Sequence, residues 1–163
     1  MDVLLYNPED PSNFGSIIRT SLALSMNRIY IYDSFGILRD KKNIDRVRGV
    51  CRNGRENRII ITEVDEPVDF INLYKNKYAT VISKNSRKLG YDKPDVEFLT
   101  DPLIIFGNER EGIPRKISHM KGIERIVIPI VNVDEPFSLP VAYGIILYEF
   151  MRQQKSLPEI KKK

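Results

Sequence analysis

Apolar residues fall along the chain in short dense runs, separated by longer stretches with helical spacing. The runs "VLLY" (3–6), "RIYIYD" (28–33), "RIIITEV" (58–64), "YATVISK" (78–84), "PLIIFGNE" (102–109, a strand running into a turn) and "RIVIPIV" (125–131) are of strand length and rich in β-branched and aromatic residues. Between them, Asn13 to Met26 carries Ile17, Ile18, Leu22 and Leu24 as the apolar positions of a helix. "PVDFINLYKN" (67–76) is an amphipathic helix opened by Pro67, which suits a first helical position. "IPRKISHM" (113–120) is a short helix, and residues 140–154 form the last one. The segment 40–55 is helix or loop, because Gly49 and Gly54 interrupt it. Strands alternating with helices predict an α/β fold with a mainly parallel sheet flanked by helices. Runs such as "LIIF" fit strands covered on both faces.

In an open α/β sheet, ligands sit beyond the carboxyl ends of the strands. The unusual polar and glycine-bearing turns of this chain all follow strands. Asn13 and Gly15 come after 3–6, "SKNS" after 78–84, "GNEREG" after 102–108 and "NVDEPFSLP" after 125–131. Turns gathered at one edge of one sheet predict a single cleft.

The last helix is unlike a surface helix. "VAYGIILYEFM" (141–151) carries one charge, Glu149. A helix apolar nearly all round is buried on most sides, either as a central core helix or, as expected here, against a second copy of the chain in a two-fold homodimer.

Composition narrows the class. The chain has 163 residues, 42% hydrophobic and 29% charged, which suits one folded domain rather than a disordered polymer. We place that domain at 1–155, with a frayed basic tail at 156–163. No apolar run is long enough to cross a bilayer, and "MDVLLYN" is too short and too acidic for a signal peptide. One cysteine, Cys51, and one histidine, His119, exclude an internal disulfide and a Cys/His zinc site made by one chain. A reducing cytoplasm is the expected compartment.

The net charge of +4 is mild, but its distribution is not. Arg39, Lys41, Lys42, Arg46, Arg48, Arg52, Arg55 and Arg58 face only Asp40, Asp45 and Glu56 within 39–58. Such a stretch either neutralises backbone phosphates or forms a solvated helix face.

"FGNEREGIP" (106–114) is the sharpest local motif. Gly107 and Gly112 let backbone approach a ligand or take positive φ; the alternative is a plain strand-to-helix turn. It is not a nucleotide-hydrolysing P-loop, since Ile113 and Pro114 stand where Lys and Ser/Thr would follow, and it is not a dinucleotide-binding glycine motif.

Read together, "NPEDPSNFGSIIRT", "PLIIFGNEREGIP" and "IVIPIVNVDEPFSLPVAYGIILYEFMRQ" match, in order and spacing, the three motifs of SpoU-like RNA ribose 2'-O-methyltransferases of the SPOUT class. The resemblance covers nearly the whole chain and is strongest to minimal members without an added RNA-binding domain. It implies an α/β fold with a deep C-terminal trefoil knot, S-adenosylmethionine as methyl donor, no metal, a homodimer through the last helix, and methylation of a ribose 2'-hydroxyl in tRNA or rRNA, tRNA being favoured. Asn13, Gly15 and Arg19 match the Asn-x-Gly-x-x-x-Arg of motif one, which makes Asn13 and Arg19 catalytic candidates. Ile82 (or Val81, one residue earlier), Gly107, Gly112, Ile128, Phe137, Ser138 and Leu139 fall at the cofactor. Arg19, Lys41, Lys42, Arg46 and Arg48 are expected to contact RNA. Glu109 is expected to be structural or RNA-orienting, and either Glu109 or Glu111 could cap the helix at 113.

Motif three departs from the family. The usual Ser-Leu-Asn-x-Ser becomes Pro136-Phe137-Ser138-Leu139-Pro140, which sets Ser138 in the place of the catalytic-loop asparagine and proline in place of both serines. A rival register takes Ser138-Leu139-Pro140 as the Ser-Leu-Asn, at the cost of a shorter helix. The departure motivates an alternative reading as a catalytically weak, knotted RNA-binding protein.

Overall fold

The computed structural model describes residues 1–51, 54–89, 96–132 and 134–157. Arg52 and tail residues 158–163 therefore lie outside the described residues. Strands β1 (Asp2–Tyr6), β2 (Arg28–Tyr32), β3 (Ile60–Glu63), β4 (Lys77–Thr80), β5 (Arg87–Lys88), β6 (Leu103–Phe106) and β7 (Ile123–Val127) form one sheet in the order β3-β2-β1-β6-β4-β7-β5. Each of its pairings is parallel. The helices are α1 (Pro11–Ala23), α2 (Lys41–Cys51), α3 (Pro67–Asn72), α4 (Arg115–Ser118) and α5 (Leu139–Gln153).

Both faces of the sheet are covered, and the central strands show why their sequences are apolar throughout. Val3 and Leu5 of β1, with Ile104 and Phe106 of β6, enter the core beneath α1, α2 and α5. Leu4, Tyr6, Leu103 and Ile105 enter the opposite core with Ile71 of α3 and Ile117 of α4. Alternate residues of a strand point to opposite faces, so a strand buried on both sides needs apolar residues at every position.

Several elements differ from expectation at their ends. The segment 40–55 resolves as helix over Lys41–Cys51. Helix α1 begins two residues earlier than expected, because Asp10 caps it by accepting a hydrogen bond from Ser12 N at 2.7 Å and Pro11 opens its first turn. Strands β4 and β7 stop at Thr80 and Val127, earlier than the apolar runs that carry them. The surplus apolar residues, Val81, Ile82, Ile128 and Ile130, line a cleft instead. Strand β5 was not anticipated, since two charged residues give no strand pattern.

Gly15 sits inside α1 against α2. A Cβ there would lie 2.8 Å from Val50 Cβ and 2.9 Å from Val47 O, so the glycine permits close helix contact and does not face a ligand. Helix α5 packs across α1 through the buried Tyr143, whose hydroxyl is 2.6 Å from Ser21 Oγ, and against β6 through Phe106. Burial pushes the Tyr143 phenol far above its ordinary value of 10.0, so it stays protonated. Val141 and Tyr148 of α5 remain about half exposed, at 47% and 53%.

Candidate functional site

The cleft opens at the carboxyl edge of the sheet and has a volume of about 540 Å³, within the range of small-molecule sites. Three of the four turns expected there contribute, and the fourth, "SKNS" (83–86), does not, because β4 ends at Thr80 and the residues just beyond it take that place. Asn13 comes from the segment after β1, Val81 and Ile82 from that after β4, residues 107–113 from that after β6, and Pro136 to Leu139 from that leading into α5. Ile128 and Ile130, just beyond β7, form the remaining wall. The parallel sheet causes this convergence, since it places every strand's carboxyl end on one side.

The turn after β6 is the most constrained part. Asn108 is buried and acts as its hub. Its Oδ1 accepts from Arg110 N at 2.8 Å and Glu111 N at 3.0 Å. Its Nδ2 donates to Asn7 O at 2.7 Å and to Glu9 Oε1 at 3.0 Å. Its backbone exchanges two hydrogen bonds with Gly112, which takes φ +66. Folding the turn back this tightly leaves no room at Gly107, where a Cβ would be 2.3 Å from Gly112 C and 2.5 Å from Ile113 N. Glycine is therefore required at 107 by close approach and at 112 by backbone angle.

Glu109 ties this turn to the start of α1. Its Oε2 accepts from Glu9 N at 2.9 Å, and its Oε1 accepts from Asp10 N at 3.3 Å and from Asn13 Nδ2 at 3.0 Å. The expected cap on the helix at 113 is not the use made of it. Helix α4 starts after Pro114 with no side-chain cap, from Glu109 or from Glu111. The donors at the α1 entrance lie nearer and leave no oxygen of Glu109 unbonded.

The other sequence-derived candidates divide clearly. Ile82, Gly107, Gly112, Ile128, Phe137, Ser138 and Leu139 all line the cleft, and so does Val81, so both alternatives at that register face it. Ser138 is the N-cap residue of α5 and Pro140 lies in its first turn, where proline is tolerated. Arg19 does not line the cleft. It follows Asn13 by six residues on α1, about 9 Å along the axis and about 240° around it, and its side chain is exposed. Of the basic helix α2, Arg46 Nε donates to Ser12 Oγ at 2.6 Å and Arg48 pairs with Glu56 at 3.2 Å. Lys41 and Lys42 are exposed and carry no ion pair among the described residues. Cys51 is buried and burial raises its thiol, which removes it as a nucleophile.

Asn108 and Arg110 were missed from sequence. An asparagine followed by a turn and a glycine four residues later is the signal that could have marked Asn108 as a turn organiser. Nothing in the motif singles out Arg110.

The walls fit the donor that the motifs imply. Val81, Ile82, Ile128, Ile130 and Leu139 offer apolar surface for a flat base, and the Gly107–Gly112 turn brings backbone rather than side chains to the cleft.

Fold and site together define an α/β protein with a cleft at the carboxyl edge of a parallel sheet, built from widely separated turns. The chain belongs to the SpoU rRNA methylase family, which it matches over residues 1–148. It is 32% identical, over 91% of its length and 67% of the relative's, to a tRNA (guanosine(18)-2'-O)-methyltransferase of Aquifex aeolicus. It is 27% identical, over 94% of both chains, to a tRNA (cytidine(34)-2'-O)-methyltransferase of Aeromonas hydrophila. Among solved structures, the AdoMet-bound rRNA methyltransferase from Sinorhizobium meliloti superposes with a TM-score of 0.72 at 25% identity, over 92% of this chain and 55% of that one.

Proposed function

We propose that the protein transfers a methyl group from S-adenosylmethionine to a ribose 2'-hydroxyl of RNA, with tRNA as the favoured substrate, in the cytoplasm. The observation that carries this reading is the convergence of the carboxyl-edge turns on one cleft in a chain of the SpoU rRNA methylase family. The activities named for the Aquifex and Aeromonas relatives support tRNA and the 2'-oxygen. The AdoMet-bound relative supports the donor.

Val81, Ile82, Gly107, Gly112, Ile128, Phe137, Ser138 and Leu139 would hold S-adenosylmethionine, which supplies an electrophilic methyl on a sulfonium sulfur when bound. A ribose hydroxyl is a weak nucleophile at neutral pH, so its proton must be drawn off as it attacks. Arg19 keeps its charge, and its role is to hold an RNA phosphate and stabilise negative charge on the ribose oxygen while that phosphate takes the proton. Asn13 and Ser138 stand at the cleft as polar groups for the target nucleotide. Lys41, Lys42, Arg46 and Arg48 supply salt-dependent affinity for the RNA backbone. Glu109 contributes by fixing the entrance of α1.

A two-fold dimer through α5 completes the reading. Val141, Gly144, Ile145 and Tyr148 form an apolar stripe at helical spacing, continued by Leu89 and Ile128 in a shallow groove. Helix α1 runs beside this stripe, with Thr20 Cγ2 only 3.6 Å from the Cβ position of Gly144. Arg19 would then serve the partner's cleft. Insertion of β6 between β1 and β4, and of β7 between β4 and β5, supports a threaded C-terminal knot.

The test is incubation with S-adenosylmethionine and bulk tRNA or rRNA, followed by alkaline hydrolysis. Alkali-resistant dinucleotides are expected from tRNA. Their absence from every cellular RNA, in a protein that binds the donor, would overturn the proposal.

A further inference from the structure

Arg110 occupies an unusual position. Among the described residues that line the cleft it is the one cation, and it stands beside two carboxylates, Glu109 and Glu111. Of those acids, Glu111 makes no side-chain hydrogen bond or ion pair among the described residues, so one uncompensated carboxylate stands beside the one cation. Glu109 is engaged, with both oxygens occupied by the α1 entrance.

Arg110 is held at one end only. Its backbone N–H is fixed by Asn108 Oδ1 at 2.8 Å. Its Nε lies 3.2 Å from Glu9 Oε2, and Glu9 is itself fixed through its other oxygen by Asn108 Nδ2 at 3.0 Å. Asn108 thus aligns both partners of the ion pair. The two terminal amino groups of Arg110 make no hydrogen bond among the described residues, and the side chain is 84% exposed. A guanidinium anchored through Nε presents its remaining N–H groups as a planar fork, the geometry that grips phosphate oxygens. The exposure sets this fork at the mouth, outside the apolar walls, where an RNA chain would cross and not where a small donor would be enclosed.

We infer that Arg110, aligned by Glu9, binds a backbone phosphate of the RNA beside the nucleotide entering the cleft. The inference rests on the proposed RNA methyltransferase reading. It adds to the same protomer's cleft a phosphate contact independent of Arg19.

The test measures binding and turnover separately in wild type, R110A and R110K. RNA affinity is taken by filter binding with unmodified bulk tRNA over a salt series, and S-adenosylmethionine affinity by calorimetry. Loss of one phosphate contact should weaken RNA binding by roughly five- to tenfold and reduce the salt slope by about one in R110A. R110K should recover the slope and only part of the affinity, since it keeps the charge and loses the fork. Where turnover is measured, the loss should appear in KM for RNA. An unchanged tRNA affinity and salt slope in R110A would overturn the assignment. So would weakened S-adenosylmethionine binding with RNA binding intact, since the anion would then be the donor's carboxylate. A wild type that binds RNA without methylating it would count against the proposed function, while the salt slope would still decide the role of Arg110.

Discussion

Asn13 and Glu109 meet across 96 residues of chain, with Asn13 Nδ2 donating to Glu109 Oε1 at 3.0 Å. The contact joins the segment after β1 to the turn after β6, and β1 and β6 are neighbours in the sheet. The same carboxylate accepts from two backbone N–H groups at the entrance of α1. One acidic side chain therefore sets where the first helix starts relative to the cleft.

Removing that acceptor strands several donors at once. Glu109→Ala should cost about 1–3 kcal/mol of stability, read as a lower urea midpoint. Asn13→Ala removes one donor and leaves the carboxylate its two backbone partners, so it should cost less. Equal midpoints for the two variants would contradict the role assigned to Glu109.

Three glycines should respond differently to alanine. At Gly107 the methyl would meet backbone at 2.3 Å, so the turn must open, and donor affinity measured by calorimetry should fall by about tenfold or more. At Gly15 it would press on Val50 and Val47 between helices, costing roughly 1–3 kcal/mol of stability. At Gly49, within α2, nothing lies within 4 Å, and alanine should stabilise by about 0.5–1 kcal/mol through helix propensity. Thermal melts of the three variants would rank them.

Complementation tests whether Arg19 works across the proposed dimer. R19A should be inactive alone, and G107A nearly so at a donor concentration well below its weakened dissociation constant. If Arg19 serves the partner's cleft, a mixed dimer carries one intact site, and an equimolar mixture after subunit exchange should recover about a quarter of wild-type activity. No recovery, with exchange confirmed, would return Arg19 to its own protomer or remove it from the reaction.

Glu149 sets an acid limit on α5. Hydrogen bonding from Arg152, then from Gln153, holds its carboxyl below the ordinary value of 4.5, against the opposing effect of burial. A depressed folded value contributes stability that is complete above the unfolded value and lost as pH falls through the folded one. Urea midpoints of wild type and Glu149→Gln should therefore differ at pH 7 and draw together as pH falls below 4.5 and through the depressed folded value. A difference independent of pH would assign the effect to packing instead.

What could be read from sequence was whatever repeats locally. Continuous apolar runs marked β1 and β6 because both faces of those strands are buried. The odd turns marked the cleft because strand direction puts them on one edge. Less could be read where a local pattern served a distant partner. Ile82 and Ile128 looked like the ends of strands, and the sheet releases them to line a wall. Gly15 looked like part of a ligand turn, but its neighbour is α2, and no spacing within the motif reports that helix. Asn108 and Arg110 matter through Glu9 and Asn7, which are about a hundred residues away in sequence. Asp10 moved the start of α1 forward by capping Ser12, a local signal that was present and outweighed by the apolar pattern from Asn13 onward.

The strand order bears on synthesis as well as on chemistry. Strand β4 is paired with β6 and β7, both of which lie later in the chain. While the protein emerges from a ribosome, Lys77–Thr80 therefore has no sheet neighbour until residues beyond 103 have been made. At about 5–20 residues per second this is a wait of seconds, during which Tyr78 and Ala79, buried in the finished protein, stand uncovered by their strands. The arrangement that gathers distant turns into one cleft also delays that cleft until Pro136–Leu139 have been made.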